Sequence, residues 1–261
     1  GPGQYATTTA MNADDRESRE RVSLDWRGDG LDGLFAQWQL MTYVQRSEID
    51  QRTVQDRRGA TPAAAATRRL RQFVFETRQV GLEGLVAGET EAAALSHRYV
   101  LGFDVSRTAL DERRDGVEIN LATGVATPVL LGERMPVRDF PNSTLQEFGV
   151  YAQDEWQLSP QFAATLGLRV DHNSRSDTAL SPRAALIWQP QQRTALKVLA
   201  GRAHRAPNAY ERDYDDPTSQ LPNPGLKDEH IDTLELVVDH HLDPGLSLRA
   251  SLYQWLMFDI I

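Results

Sequence analysis

Cysteine is absent from this chain of 261 residues. Its absence excludes disulfide bonds, thiolate nucleophiles and thiolate metal sites, and it leaves the cellular compartment open, since many cell-envelope proteins also lack cysteine. A run of about eighteen apolar residues, as a transmembrane helix requires, is absent as well. The chain also has no excess of basic residues. Its net charge is −9, so we expect no nucleic acid among its partners.

The two ends of the chain lack the features of natural termini. Residues 1–15 have no basic region followed by an apolar core, so they do not form a secretion signal. The last residues, 257–261, fall in the middle of an alternating pattern that is typical of a strand. We therefore expect residues 1–261 to be a fragment of a longer protein.

Alternation of polar and apolar side chains is what the chain has in abundance. Residues 143–207 contain four alternating stretches in succession. In the first stretch only Asp154 interrupts an otherwise apolar face, whose members are Phe148, Val150, Ala152, Trp156 and Leu158. A side-chain period of two is the strand period, so residues 143–207 are predicted to form four antiparallel strands.

The same pattern predicts six further strands, for a total of ten. They lie at 18–26, 34–44, 70–85, 95–105, 234–242 and 246–258. Polar stretches without a strand period are predicted as long loops, at 46–69, 107–142 and 205–229, and residues 87–94 as a shorter connection. Short turns are predicted near residues 27, 87, 159, 189 and 243.

Short and long connections follow one another in turn along the chain. In an up-and-down meander alternate connections lie at the same end, so the short turns share one rim and the long loops share the other. Outer-membrane β-barrels have this asymmetry. The sequence thus predicts an all-β fold, an antiparallel up-and-down meander that forms part of a transmembrane barrel. The mean hydropathy of −0.48 is compatible with such a barrel, because its strands alternate. A soluble β-sandwich or propeller remains the alternative.

Four stretches of the second half resemble the TonB-dependent outer-membrane receptors. Residues 149–172, GVYAQDEWQLSPQFAATLGLRVDH, and 180–190, LSPRAALIWQP, are similar to barrel strands of that family. GRAHRAPNAYE at 201–211 resembles the family's "FRAP" box, with His204 where Phe is usual, and NPGLKDEHIDTLEL at 223–236 resembles its "NPNLKPE" box. Looser similarity covers 97–107 and ERMPVRDFP at 133–141, which is most similar to haem and haemoglobin receptors.

This resemblance implies a transporter without a catalytic site, located in the outer membrane of a Gram-negative bacterium. It implies a 22-stranded barrel that surrounds an N-terminal plug and imports an iron complex, either haem or a ferric siderophore, with energy from the TonB complex. The chain would supply about ten of the strands, whereas the plug, the TonB-binding part and the closing strands would lie outside it. No resident cofactor is expected. A passive porin or barrel adhesin, and a soluble β-rich enzyme or binding protein, stay open as alternatives.

The candidate ligand-binding residues lie in and beside the loop between the two boxes. Haem receptors of this kind carry an axial histidine in that interval, but residues 208–222 contain none, so His204 or His230 would have to substitute for it. Aromatic, cationic and amide side chains in the loop suit contact with an anionic ligand. These are Asn208, Tyr210, Arg212 and Tyr214. No metal motif is predicted.

Overall fold

The computed structural model describes residues 8–31, 35–57, 65–93, 95–128, 143–208, 211–212, 221–243 and 245–261. Nearly all of them lie in strands. The eleven strands are β1 (Thr8–Leu31), β2 (Phe35–Arg57), β3 (Thr67–Ala92), β4 (Leu95–Asn120), β5 (Ala126–Pro128), β6 (Ser143–Ser159), β7 (Phe162–Asn173), β8 (Thr178–Gln191), β9 (Thr194–Arg205), β10 (Glu229–Asp243) and β11 (Leu246–Phe258).

All eleven strands belong to one antiparallel sheet in which each strand pairs with its neighbour in the chain. The exception is the three-residue β5, which pairs with the end of β4 and leaves β4 free to pair with β6. The remaining ten strands are those that the alternation predicts. Within the described residues the sheet is open, with β1 and β11 at its edges.

The connections confirm the predicted asymmetry between the two rims. At one rim the strands are joined by two or three residues, at 32–34, 93–94, 160–161, 192–193 and 244–245. At the other rim the connections are longer, and residues 206–228 form one of the longest. We call these the short-turn rim and the long-loop rim.

Several strand ends extend beyond their predicted limits, and here the sequence interpretation is wrong. Most of the stretch 46–69 is strand, because β2 continues to Arg57 and β3 begins at Thr67. In the same way β4 continues to Asn120, and β3 to Ala92. These segments carry charged residues on both faces. Ion pairs such as Arg68 Nε to Asp56 Oδ1 at 2.7 Å and Arg69 Nη2 to Glu118 Oε2 at 2.6 Å link neighbouring strands there.

The two faces of the sheet differ in chemistry and in exposure. Leu101, Phe103 and Val105 of β4 alternate with Gly102 and Asp104, and the first three are 43%, 37% and 43% exposed. Such apolar rows recur on the same face of each strand from β6 to β11. A β-sandwich or propeller would bury these rows against a second layer. Among the described residues there is no second layer, which contradicts that alternative.

One cavity on the polar face has walls from β2, β3, β4, β6, β7 and β9, and side chains of so many strands can enclose one space only if the sheet is curved. We therefore call the polar face concave and the apolar face convex. In the described part of the chain, no helix is long and apolar enough to span a bilayer.

Candidate functional site on the concave face

A row of facing residues places two carboxylates on either side of a glycine. Asp104 of β4 pairs with Gly149 of β6, which in turn pairs with Asp171 of β7. In the next row of the same face, Tyr151 lies opposite Arg169. Antiparallel pairing brings these side chains together although they lie far apart in the sequence.

Arg169 joins the two carboxylates. Its Nη2 lies 2.7 Å from Asp104 Oδ1 and 2.6 Å from Asp171 Oδ1, and its Nε donates to Asp171 Oδ1 at 2.8 Å. The guanidinium also lies 5.7 Å from the centre of the Tyr151 ring. The guanidinium is planar and has five N–H donors, so it can contact both carboxylates at once. The arrangement fixes Arg169 over the sheet and neutralises part of the acidic charge around it.

Glycines give the large side chains of this face room to lie flat on the backbone. A methyl group on Gly149 would overlap the Arg169 guanidinium and would lie 2.7 Å from Asp104 Oδ1. The rings of Tyr151 and Tyr43 cover Gly102 and Gly81 in the same way. Side chains that cover a cross-strand glycine are a recognised means of fixing register.

His204 reaches this cluster from the end of β9. Its Nδ1 lies 3.0 Å from Ser181 Oγ and its Nε2 lies 4.0 Å from Asp171 Oδ2. The ladder between β8 and β9 ends at the pair Arg183 and Gly201, so β9 is not held in register with β8 at His204. The imidazole therefore contacts the concave cluster from just beneath the long-loop rim.

The cluster lines a cavity of about 640 Å³ that extends to both ends of the connection 206–228, at Ala206 and Asp228. Acidic side chains outnumber basic ones in its wall, where Arg169 is accompanied by Glu83, Asp104, Glu147, Asp171, Asp177 and Asp228. Asp228 Oδ1 is buried without a hydrogen-bond partner among the described residues. The cavity therefore suits a partner surface that brings cations or hydrogen-bond donors.

The base of the long connection is built by reciprocal hydrogen bonds. Asn208 Oδ1 accepts from the Glu211 backbone N–H, and Glu211 Oε2 accepts from the Asn208 backbone N–H, both at 2.9 Å. This is a capping box. Arg205 Nη1 lies 2.9 Å from Glu211 Oε2, and Arg205 Nε lies 2.7 Å from Glu229 Oε2. Arg205 thus ties the loop to the first residue of β10.

These contacts hold the pKa of Glu211 below its ordinary value, because Arg205 and then the Asn208 backbone N–H donate to the ionised carboxylate. Arg212 also helps to fold the connection. Its Nε donates to the Pro224 carbonyl at 3.2 Å, and its backbone carbonyl accepts from the Asn223 N–H at 2.8 Å. Asn208 and Arg212 therefore take part in the architecture of the loop.

The rings of the two candidate histidines contact different neighbours. His204 and His230 pair directly across β9 and β10. His204 contacts Ser181 on β8, whereas the His230 ring stacks on Phe258 of β11 at 4.8 Å between centroids. Among the described residues, no three acidic or histidine side chains are arranged to hold a metal ion. Tyr210, Tyr214 and the stretch 133–141 lie outside the described residues.

Asp154, the one acidic residue on the predicted apolar face of β6, has a partner. Its Oδ2 lies 2.7 Å from His97 Nδ1 and accepts a hydrogen bond from Trp156 Nε1. His97 lies on the same face of β4, opposite Trp156, as its position in the alternation predicts. The group lies beside the short turns, where amphipathic side chains are typical of a membrane boundary.

The sequence interpretation did not single out Arg169, Asp104, Asp171, Ser181 or Asp228. The signal for part of the cluster lay in the hairpin between β6 and β7. Folding the chain at residues 160–161 sets Tyr151 opposite Arg169, and both belong to the predicted polar face. The contacts of Asp104 and His204 span three strands, so they depend on a register that the alternation leaves undefined.

Comparison with known proteins decides the family. The family model described as TonB dependent receptor-like, beta-barrel, matches residues 1–254. The chain belongs to this family. A curated relative, the ferric enterobactin receptor of Pseudomonas aeruginosa, is 30% identical over 111 residues, which are 42% of this chain and 14% of the relative.

Solved structures of a copper transporter and of siderophore receptors share the fold. The copper transporter OprC superposes with a TM-score of 0.66 at 17% identity, over 96% of this chain and 40% of that one. The ferric enterobactin receptor PfeA of P. aeruginosa gives 0.55 at 18% identity, over 98% and 44%. The siderophore receptor PirA of Acinetobacter baumannii gives 0.53 at 13%, over 96% and 43%. The chain thus spans less than half of each of these structures.

The predicted family and the predicted antiparallel meander are therefore confirmed. Membership in a receptor family also confirms that the chain belongs to transport proteins rather than enzymes. The same match favours a receptor over the passive porin or adhesin that the pattern alone left open.

Proposed function

We propose that this chain forms part of the wall of an outer-membrane receptor that imports an iron complex into a Gram-negative bacterium. One observation carries the proposal: a single curved sheet exposes apolar rows on its convex face and polar clusters on its concave face, in a chain of the TonB-dependent receptor family. Lipid would wet the convex face, and water or protein would fill the concave side.

The acidic cavity supports a second part of the proposal, which is that the concave face contacts a plug. The resemblance to the family implies a plug within the barrel and work supplied through TonB. A plug surface with cations or hydrogen-bond donors would complement the excess of carboxylates, including the unpartnered Asp228 Oδ1. Arg169 would then fix Asp104 and Asp171 in one conformation where the concave face meets the plug.

The ligand would be captured at the long-loop rim. We assign this contact to the connection 206–228, with Tyr210, Tyr214, Arg212 and Asn208, together with the flanking residues His204 and His230. A ferric siderophore is favoured over haem. Residues 208–222 contain no histidine, and His204 Nδ1 already contacts Ser181 Oγ at 3.0 Å, so the interval lacks the axial ligand that haem receptors of this kind carry.

A growth assay tests the proposal. The complete protein would be expressed in a Gram-negative strain that lacks its own iron receptors and is starved of iron. We expect growth on a ferric tricatecholate siderophore, no growth on haemin, and loss of growth when the TonB gene is deleted. Growth on haemin alone would reverse the ligand assignment. Growth that does not depend on TonB would contradict the receptor mechanism and indicate a passive pore.

A further inference from the structure

Three neighbouring strands carry an arginine on the convex face, two of them at one level and the third two residues nearer the short turns. Val44 of β2, Val80 of β3 and Val105 of β4 are 61%, 50% and 43% exposed. Two residues further toward the long-loop rim, on the same face, stand Arg46, Arg78 and Arg107. The apolar surface therefore ends in a row of guanidinium groups, which we call the arginine row.

The arginine row brings like charges together. Arg46 and Arg78 pair directly across β2 and β3, a placement that is unfavourable unless an anion compensates it. Glu76 lies between them, with its Oε1 3.1 Å from Arg46 Nε and 2.6 Å from Arg78 Nε. Arg107 stands opposite Val80, and within the described part of the chain its guanidinium has no carboxylate partner. This end of the row therefore lacks an anion.

A groove of about 480 Å³ lies beside Arg107 on the same face. Its lower part is apolar, with Val80, Leu82, Val105 and Phe148. Its upper part is polar, with Arg107, Gln146, His172 and Ser174. Leu82 and Phe148 are themselves 37% and 46% exposed, so these side chains leave the groove open to its surroundings. The groove thus changes from apolar to polar along the direction from the short turns to the long loops.

We propose that this groove binds a lipid that carries a phosphate in its headgroup. An acyl chain would lie along Val80, Val105 and Phe148, and the phosphate would accept hydrogen bonds from Arg107 and from the His172 ring. The fork of a guanidinium matches phosphate oxygens, and such contacts are strong where water is partly excluded. The exposed Arg78 would add charge from the neighbouring strand. The site goes beyond nutrient import and shares with it only the placement of the sheet in a membrane.

Native mass spectrometry of the complete protein in mild detergent tests the site. The probes are diphosphoryl lipid A and the same lipid after removal of its phosphates. We expect the phosphorylated lipid to bind and the dephosphorylated lipid to bind at least tenfold more weakly, as loss of two charged contacts implies. Arg107→Gln should weaken binding roughly fivefold, and Arg78→Gln with Arg107→Gln about 25-fold, since each surface arginine contributes on the order of a fivefold effect.

A matched control removes the same charge elsewhere on the convex face. Arg52 and Arg68 are ion-paired with Asp50 and Asp56, as Arg78 is with Glu76, but both lie further from the groove, toward the long-loop rim. Arg52→Gln with Arg68→Gln should leave lipid binding unchanged. Arg107→Lys, which keeps the charge, should bind within about twofold of the unmodified protein.

Three outcomes would overturn the proposal: equal binding of both lipids, unchanged binding by the variant with both Arg78→Gln and Arg107→Gln, or an equal loss in the control pair. Circular dichroism of each variant confirms that the barrel has folded. Because Arg107 lies outside the proposed ligand and plug contacts, growth on the iron source should not change in Arg107→Gln. If the growth assay shows no import, the lipid-binding measurement still tests the groove, because it does not depend on transport.

Discussion

Gly149 has a structural role that its residue type alone does not suggest. In the middle of a strand, alanine is usually more stable than glycine by about 0.5–1 kcal/mol. Here the methyl group would overlap the guanidinium that joins Asp104 and Asp171. We expect Gly149→Ala to destabilise the complete protein by about 1–3 kcal/mol, measured by urea unfolding from lipid vesicles, since overpacking costs that much.

Gly201 provides the control for this prediction. It also lies within a strand, but a methyl group there would meet no atom closer than 3.6 Å. Gly201→Ala should be neutral or slightly stabilising. If both substitutions change stability by the same amount, the Arg169 cluster does not depend on a bare backbone at Gly149.

His97 and Asp154 form a second local unit, on the convex face. Each side chain alone is a polar group on a surface that faces lipid in our account, and each compensates the other through the 2.7 Å contact. We expect His97→Leu and Asp154→Leu each to lower the stability of the folded barrel. The double substitution should cost less than the sum of the two, because each single substitution leaves the other polar side chain without its partner, whereas the double substitution removes both.

Refolding into vesicles, followed by intrinsic tryptophan fluorescence, gives the four stabilities of this cycle. Phe162→Leu provides a comparison, since its ring stacks on Trp188 at 5.8 Å and does not contact His97 or Asp154 in the described structure. Strictly additive effects of the two leucine substitutions would show that the His97–Asp154 contact does not stabilise the barrel.

Sequence and structure agree at the residue scale only where a single strand carries the information. The place of His97 on the apolar face, and that of Asp154 as the exception, follow from alternation within one strand. Their contact does not, because 57 residues separate them and the register of β4 against β6 is needed. The capping box of Asn208 and Glu211 was present in the sequence as N-A-Y-E, and the prediction of a plain loop overlooked it.

At the scale of elements, the base of the connection 206–228 depends on one charged group. The pKa of Glu211 is lowered in the folded protein, so its stabilising effect is complete above the ordinary carboxyl pKa. That effect is lost as the pH falls through the lowered value. We expect amide protection at residues 205–212, measured by hydrogen exchange, to stay constant from pH 7 to about 5 and to decrease at lower pH.

Arg205→Gln provides the test of the cause. Without the guanidinium the pKa of Glu211 should return toward its ordinary value, and the loss of protection should begin at higher pH. Arg193→Gln, a variant near the short-turn rim, should leave the transition where it is. A transition that Arg205→Gln does not move would assign the stability of the loop base to other contacts.

The extended strands β2, β3 and β4 show why the sequence interpretation ended them early. Alternation arises where one face meets an apolar medium and the other meets water. Beyond Arg46 both faces of β2 carry polar or charged residues, so the period of two disappears although the ladder with β3 continues to the pair Arg57 and Thr67. Backbone hydrogen bonds and cross-strand ion pairs sustain the sheet there.

These extensions predict slow hydrogen exchange outside the apolar band. Amides of residues 47–56 and 68–77 lie in continuous ladders, so we expect strong protection there, although the side chains are charged. Exchange as fast as in an unstructured peptide of the same sequence would show that these segments are loops, which is what the sequence pattern predicted for residues 47–56 and for 68 and 69.

At the scale of the whole molecule, the predicted meander of ten strands is found in order and in the predicted alternation of connections. Periodicity and turn spacing could predict this much because each strand is one local pattern. The concave cluster could not be predicted, since it joins side chains of the five strands β4, β6, β7, β8 and β9 across a curvature that no single stretch of sequence specifies. The same curvature separates a polar concave surface from an apolar convex one, and the proposed function depends on this separation.

Spin labels along β4 test that separation most directly, and residues 1–261 contain no cysteine that would compete for the label. Labels would replace each residue from 101 to 106 in the complete protein, reconstituted in a bilayer. We expect residues 101, 103 and 105 to be accessible to oxygen dissolved in lipid and protected from a water-soluble nickel complex, and residues 102, 104 and 106 to show the reverse or to be buried. Accessibility without a period of two, or nickel access at 101, 103 and 105, would contradict the account.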